Sequence, residues 1–396
     1  MRRNWLAVGV ILLFLGTSII PAIAQDMEKP LPASRGQWLY VGGNGPGNHT
    51  KIQDAIDNAS QGDTVFVYHG TYAELVKIDK SINLLGESWN STFIKTNGHD
   101  GIFIVADNVV VDGFTVRYFN YGITMMSNNS IISHCRIRET LVGVSIIASS
   151  NTTVSDCLIE VNQNVGLSLS IGSGSAYNDT IVNCTFRDNW HGGLDIDDVW
   201  NCTFTHLTIA NTTYSYHADG IHMNGGHDNE ISYCNFTRLS DGISCYNANN
   251  NKISHCDFYL IDGRALYIYT ETSDNSIISS CNIAHNHIGV ILYGVNHIVT
   301  LCNFSHNFIG VITMGEANNT IIKNNFIKNR IHGFFLQSAV TWESNYYDNW
   351  KGVGQKIIVG LLGIKIPYLG GYFYLDIIPS HDCDKHPAQK PYDIGG

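Results

Sequence analysis

Positive charge is scarce in this chain. Its 396 residues carry 23 lysines and arginines against 34 aspartates and glutamates, a formal charge of −11. That balance argues against nucleic acid as a partner, because phosphate backbones are held by clustered cations. The same acidic surface repels a polyanion unless a local cation or Ca²⁺ intervenes.

Long apolar runs are also few. One extends from Trp5 to Ile20, behind Arg2 and Arg3, and ends at the small-residue site Ala22-Ile23-Ala24. It is short for a bilayer span and reads as a secretory leader over 1–24, with a mature chain starting at Gln25. Loss of the leader leaves 21 basic and 34 acidic side chains, a formal charge of −13. The other run, Ile357 to Leu375, is interrupted by Lys365 and Pro367 and reads as a closing cap or side flap. The mature chain is thus expected to be secreted or held at the cell surface, monomeric, and without a transmembrane helix. Twelve N-x-S/T triplets, from Asn48 to Asn318, suit an exported glycoprotein, although Asn-rich turns generate such triplets by chance.

The body of the chain lacks helical spacing, leucines at fixed sites and a six-residue period. These absences set aside a leucine-rich horseshoe and a left-handed hexapeptide helix. What repeats instead is a Gly followed by alternating apolar residues. The glycines are Gly101, Gly122, Gly143, Gly166, Gly193, Gly220, Gly242, Gly289, Gly310 and Gly333, with Ala265 in the missing place, giving eleven turns. The residues one and three places on, such as Ile221 and Met223, share one side of a strand and point inward. A second short strand follows, reading apolar-x-x-Cys-x-apolar, as in Ile231-Ser-Tyr-Cys234-Asn-Phe236.

Seven of the ten cysteines fall in that one column: Cys135, Cys157, Cys184, Cys234, Cys256, Cys281 and Cys302. Stacked rungs lie about 4.8 Å apart. Cβ atoms at that spacing are beyond the favoured disulfide range, so the column reads as buried free thiols. Cys202 and Cys383 fit no inward column and could pair.

A period of 21 to 27 residues built from short strands with Gly or Asn at the corners specifies a coiled parallel β-solenoid. Residues 38–100 are read as an N-terminal cap helix with the first coils, 101–341 as the repeats, and 342–396 as an irregular C-terminal cap. Thr50-Lys-Ile-Gln53 predicts a capping box opening a helix to about Ala59, with Ile52, Ala55, Ile56 and Ala59 on one face.

Several stretches carry a family resemblance: Gly-Asn-Gly-Pro-Gly from Gly43, Ile52-Gln-Asp-Ala-Ile56, Gly62-Asp-Thr-Val65, Gly70-Thr-Tyr72, Ser81-Ile-Asn-Leu-Leu-Gly86, Val111-Asp-Gly-Phe-Thr-Val116, and a closing His386-Pro-Ala with Pro391-Tyr-Asp-Ile394. From about residue 38 to the end the chain resembles secreted right-handed parallel β-helix proteins, which include the pectin-lyase-like superfamily and NosD-type copper-accessory proteins. The resemblance implies an all-β right-handed parallel β-helix of about eleven coils. It leaves function open, since that fold carries lyases, hydrolases, epimerases, adhesins and inert surface proteins.

One stretch departs from the dull repetition. HADGIHMNGGHDNEISYC, residues 217–234, holds three histidines and three acids. Two places after each Gly the outward column includes Asp195, His222, Ser244 and Tyr267. Four places after, it includes Asp197, Asn224, Tyr246, Tyr269 and Tyr293, and just before the Gly stand Asp219, Asp241 and Arg264. Stacking would bring these together at about 5 Å steps, five turns spanning about 24 Å, room for an oligosaccharide. Neighbouring carboxylates shift one another's pKa values, which acid/base chemistry uses, and tyrosines offer flat faces to sugar rings. Two long excursions, Ser170 to Asp179 and Ala210 to Ala218 with Tyr214, Tyr216 and His217, could wall the groove.

Several chemistries fit these residues. Asp195, Asp197, Asp219, His222, Asp241 and Arg264 are the candidate catalytic groups. Tyr246, Tyr267, Tyr269, Tyr293, His217 and Asn224 are candidates for holding substrate. Asp195, Asp197 and Asp219 could hold Ca²⁺ through hard oxygen ligands. His217, His222 and His227 with an Asp could hold Zn²⁺ or Cu²⁺, and His381-Asp-Cys383-Asp-Lys-His386 has a plausible ligand set. In a lyase, His222 or Tyr267 would abstract a proton beside a uronate carboxylate that Arg264 or Ca²⁺ neutralises. In a hydrolase, two of the four aspartates would act as acid and base. Asp219-Gly220-Ile221 is similar to part of the polygalacturonase pattern, but that pattern's remaining elements are not evident. Three classes stay open: a polysaccharide lyase, hydrolase or epimerase; a non-catalytic glycan-binding or surface protein; and a NosD-like copper accessory.

Overall fold

The computed structural model describes residues 36–394, apart from 171–173, 213–217, 274, 316–317, 337–338, 353 and 369–370. Its organising feature is a ladder of fourteen parallel strands from Trp38–Val41 to Ala339–Glu343. One inward column runs down it unbroken, among others through Leu84, Ile132, Phe204, Ile253 and Trp342. A one-residue slip would turn every apolar side chain to solvent, so this column fixes the register of each rung on the next. The solenoid has three more rungs than the eleven expected. The first three strands, Trp38–Val41, Thr64–Val67 and Asn83–Gly86, carry inward Val and Leu without the Gly that marks later turns.

A second inward column stacks aromatic rings. Phe236 lies 4.7 Å from Phe258, Phe304 5.0 Å from Phe326, and Phe326 5.2 Å from Tyr347, all nearly parallel. The repeat glycines are required where this column crosses the site-bearing strands. A Cβ at Gly220 would stand 2.5 Å from the Gly242 carbonyl oxygen and 2.7 Å from the Phe236 ring.

The cysteine column behaves as the spacing predicts. Cys157, Cys184, Cys234, Cys256, Cys281 and Cys302 are buried free thiols, each donating weakly to the carbonyl two residues earlier, at 3.1 to 3.4 Å. Cys202 and Cys383 do not pair. Cys202 is an inward residue after all, and burial pushes its thiol up to about 12.

The corners are tied by buried amides. The Asn229 side chain accepts from the Cys202 backbone N–H at 2.9 Å, and the Asn251 side chain accepts from Asn229 N–H at 3.0 Å. Another such ladder runs Asn286, Asn307, Asn329. Each amide satisfies a corner N–H that no strand partner can reach.

At the N-terminal end the helix Ile52–Asn58 buries Ile52, Ala55 and Ile56. The capping box does not form. Lys51 is the N-cap without a side-chain bond, and the Ile52 and Gln53 amides donate to the Glu74 carboxylate at 2.9 and 3.0 Å. A carboxylate from the next rung thus replaces the local cap.

The C-terminal cap is regular where an irregular one was expected. Lys356–Tyr368 and Gly371–Asp384 form an antiparallel hairpin whose first strand continues the site-bearing sheet beside Ile331–Leu336. Asp384 plugs the end of the ladder, fully buried, accepting from Asn345 N–H at 2.8 Å and from Ser344 and His386 N–H at 3.1 Å. This capping role accounts for Asp384 of the His381-to-His386 motif, in which the His381 side chain lies outside the described residues. On the last rung the register moves by one: Val311 pairs with Gly333 and Thr313 with Phe335. Phe335 is therefore inward, and Phe334 and Leu336, expected inside, are only partly buried. Among the described residues no helix is long and apolar enough to cross a membrane.

Candidate functional site

Five consecutive parallel strands build the candidate face: Gly192–Asp197, Asp219–Asn224, Asp241–Tyr246, Arg264–Ser273 and Ile288–Val295. Their register pairs Asp195 with His222, His222 with Ser244 and Ser244 with Tyr267. One column further, Asp197 pairs with Asn224, Asn224 with Tyr246, Tyr246 with Tyr269 and Tyr269 with Tyr293. Eleven of the twelve expected site residues therefore come together on one sheet. His217 lies outside the described residues, with Tyr214 and Tyr216.

Polar contacts divide these residues into pairs. His222 Nδ1 is 3.1 Å from Asp219 Oδ2. Asn224 donates its side-chain N–H to Asp197 at 3.1 Å. Arg264 forks onto Asp241, with Nε 3.1 Å from Oδ1, a second guanidinium nitrogen on Oδ2, and its backbone N–H 2.6 Å from Oδ1. The same guanidinium lies 4.2 Å from the centre of the Tyr267 ring. Ser244, wholly covered between His222 and Tyr267, has no partner for its hydroxyl among the described residues.

Aromatic rings continue the face. His222 lies 5.2 Å from Tyr246, Tyr246 5.5 Å from Tyr267, and Tyr269 is stacked 4.7 Å from Tyr293.

Burial sets the protonation chemistry. Asp195 is held above the usual carboxylate range chiefly by burial, with the charges of Asp197 and Asp219 adding to it against the opposite pull of His222. The Asp219 hydrogen bond raises the His222 imidazole above its ordinary value, helped by the charges of Asp219, Asp195 and Asp197 and opposed by burial. Burial also raises the phenols of Tyr246 and Tyr267. Burial works against the Arg264 charge, but the Asp241 bond outweighs it.

In the fold as it stands Arg264 is engaged by Asp241, and burial holds the Tyr267 phenol above its ordinary value.

The metal expectations also change. Among the described residues no group of three or more His, Cys, Asp or Glu could hold a metal ion. Asp195 and Asp197 sit two residues apart on one strand, while Asp219 lies opposite Gly192 and is turned to His222, so the three do not close into a Ca²⁺ site. His227 packs 4.6 Å from the Trp200 ring and contacts Asp228 at 2.5 Å, on another corner of the coil from His222.

Sequence reasoning missed the other half of the groove. An open cleft of about 420 Å³ runs from His99, Asp100 and Tyr121 past Thr124, Ser145 and Ser168 to Asp195. Thr124 donates its hydroxyl to Asp100 at 2.5 Å, and His99 stands 3.2 Å from Asp100. A signal was present: Asp100 and Tyr121 precede Gly101 and Gly122, so they share a column with Asp219, Asp241 and Arg264.

Residues 80–212 and 192–341 match the family described as the right-handed β-helix region, well over half of the chain. The chain belongs to that right-handed β-helix family. No curated protein matches it significantly. Among solved structures the β-helix is similar to the catalytic unit of a thermostable GH87 α-1,3-glucanase from Streptomyces thermodiastaticus, at 15% identity and a TM-score of 0.57, covering 76% of this chain and 65% of that one. It is also similar to XylC in complex with xylose, at 10% identity and 0.52, covering 78% and 83%. The tailspike protein of E. coli bacteriophage HK620 follows at 12% and 0.53, covering 77% and 65%. At these identities the likeness is one of fold. The β-helix spans about two thirds of the glucanase unit's length.

Proposed function

We propose that this β-helix protein binds an extracellular polysaccharide along the groove from Asp100 to Tyr293. The observation that carries the reading is the register: one sheet face aligns aspartates, a histidine and four tyrosines at successive rungs, beside a cleft walled by hydroxyls. Tyrosine faces suit the apolar faces of sugar rings, and paired carboxylates and hydroxyls suit their hydroxyl groups. The nine rungs from Asp100 to Ile288 extend about 38 Å, enough for several sugar units. The extracellular setting rests on the leader-like segment at 1–24. The glucanase and XylC–xylose likenesses agree with a carbohydrate role and add no residue assignment.

A second reading, hydrolysis, is favoured by Asp195. Its raised carboxyl beside His222 suits a general acid, with Asp197 or Asp219 as the partner carboxylate. Asp241 has no such role, being bound to Arg264.

A glycan array combined with a reducing-end assay tests both readings. Binding is expected to weaken about fivefold in Tyr267→Ala, the loss of roughly 1 kcal/mol of ring stacking. Release of reducing ends that disappears in Asp195→Asn, with retention on the array preserved, establishes cleavage. An array with no bound glycan removes the proposal.

A further inference from the structure

The groove carries a charge inventory that bears on what kind of glycan it takes. Nine consecutive strands line it, from His99-Asp100 at one end to Ile288–Val295 at the other. Within the site-facing segments 99–104, 121–125, 142–146, 165–169, 192–197, 219–224, 241–246, 264–273 and 288–295 there is one lysine or arginine, Arg264, against Glu271 and the aspartates 100, 195, 197, 219 and 241.

Within these segments Arg264, His222 and His99 each face a carboxylate of their own. Arg264 is forked onto Asp241 and covered by the Tyr267 ring. His222 faces Asp219, and His99 faces Asp100. Pairing them off leaves Asp195, beside His222, together with Asp197 and Glu271 in excess. Among the described residues Asp197 receives only a neutral amide, from Asn224. A further guanidinium, Arg330, lies three rungs beyond Arg264 and stacks at 4.9 Å on Phe308.

Resting on the glycan-binding reading above, we infer that the groove selects an uncharged polysaccharide and rejects uronates. A uronate carboxylate set against this face meets Asp197 and its neighbouring carboxylates while every cation is already committed, at a surface whose low-dielectric wall strengthens repulsion. A neutral sugar meets hydroxyls, carboxylate acceptors and four tyrosines, contacts that require no counter-charge. Tyrosines kept protonated remain hydrogen-bond donors to ring and hydroxyl oxygens.

Affinity electrophoresis of the full protein tests this in gels containing xylan, a neutral glucan, polygalacturonate or alginate, each with EDTA and at low ionic strength. Retardation is expected in a neutral gel, with uronan affinity about tenfold lower or undetectable. Asp197→Asn is expected to raise uronan affinity severalfold at low salt. Circular dichroism of the variant checks that it is folded. Retardation by a uronan equal to or stronger than by every neutral polymer overturns the inference while leaving the glycan-binding reading standing. Retardation by none of the four overturns the binding reading itself, and with it the inference.

Discussion

Asp195 and His222 are direct partners on adjacent parallel strands, with Asp219 holding the imidazole from its own strand at 3.1 Å. The arrangement puts a carboxyl that resists ionising beside an imidazole that resists losing its proton. Both groups bind a proton more tightly in the fold than in the unfolded chain.

The first prediction concerns pH. His222 contributes stability fully below its unfolded pKa of about 6.5, and that contribution is lost as pH rises through the higher folded value. For Asp195 the sign is the same: stability is gained as pH falls through its raised folded pKa and is lacking above it. The unfolding midpoint is therefore expected to fall between about pH 5 and pH 8, and to fall less in an Asp195→Asn, His222→Gln double variant. Differential scanning fluorimetry across that range measures it, and a midpoint rising with pH contradicts the assignment.

The Arg264–Asp241 pair makes a second prediction. Asp241 is buried, so Arg264→Met strands an unpaired carboxylate and is expected to cost about 3 kcal/mol. Adding Asp241→Asn removes the stranded charge and should recover much of the loss. Urea denaturation of the two singles and the double forms the cycle. Additive single effects would show that the pair is not coupled.

At the N-terminal cap, Glu74→Ala is expected to destabilise by about 1 kcal/mol, because two helix amides lose their acceptor. Thr50→Ala should change stability by less than about 0.5 kcal/mol, since no side-chain cap forms there. Equal losses in the two variants would restore the local capping box.

Within the corner ladder, Asn307 accepts from Asn286 N–H at 2.9 Å and donates to Ile283 O at 2.8 Å and Asn329 Oδ1 at 3.0 Å. Asn307→Ala leaves several buried partners unsatisfied and is expected to cost about 2–4 kcal/mol. Thermal or chemical unfolding checks the loss, and a change below about 0.5 kcal/mol would show that water replaces the amide.

The solenoid was legible because its signal is periodic. Gly220, Ile221, Met223 and Cys234 recur as types at fixed offsets, and a period with inward alternation admits few other folds. The same offsets placed Asp195, His222 and Tyr267 on neighbouring rungs, since parallel in-register stacking converts sequence period directly into proximity. Departures from periodicity were not legible. The first three rungs lack the Gly marker, and the one-residue shift at Gly333 leaves no trace in the Gly spacing.

By itself, then, the sequence determined the coil, its inward columns and the alignment of the candidate face, because each rung repeats the hydrophobic instruction of the last. Only the tertiary structure decided how the aligned groups pair. It bound Arg264 to Asp241 and His222 to Asp219, gave Asp197 only the Asn224 amide, and joined His99 and Asp100 to the groove. Such pairings depend on side-chain reach, burial and competing partners across rungs, quantities that a one-dimensional period does not contain.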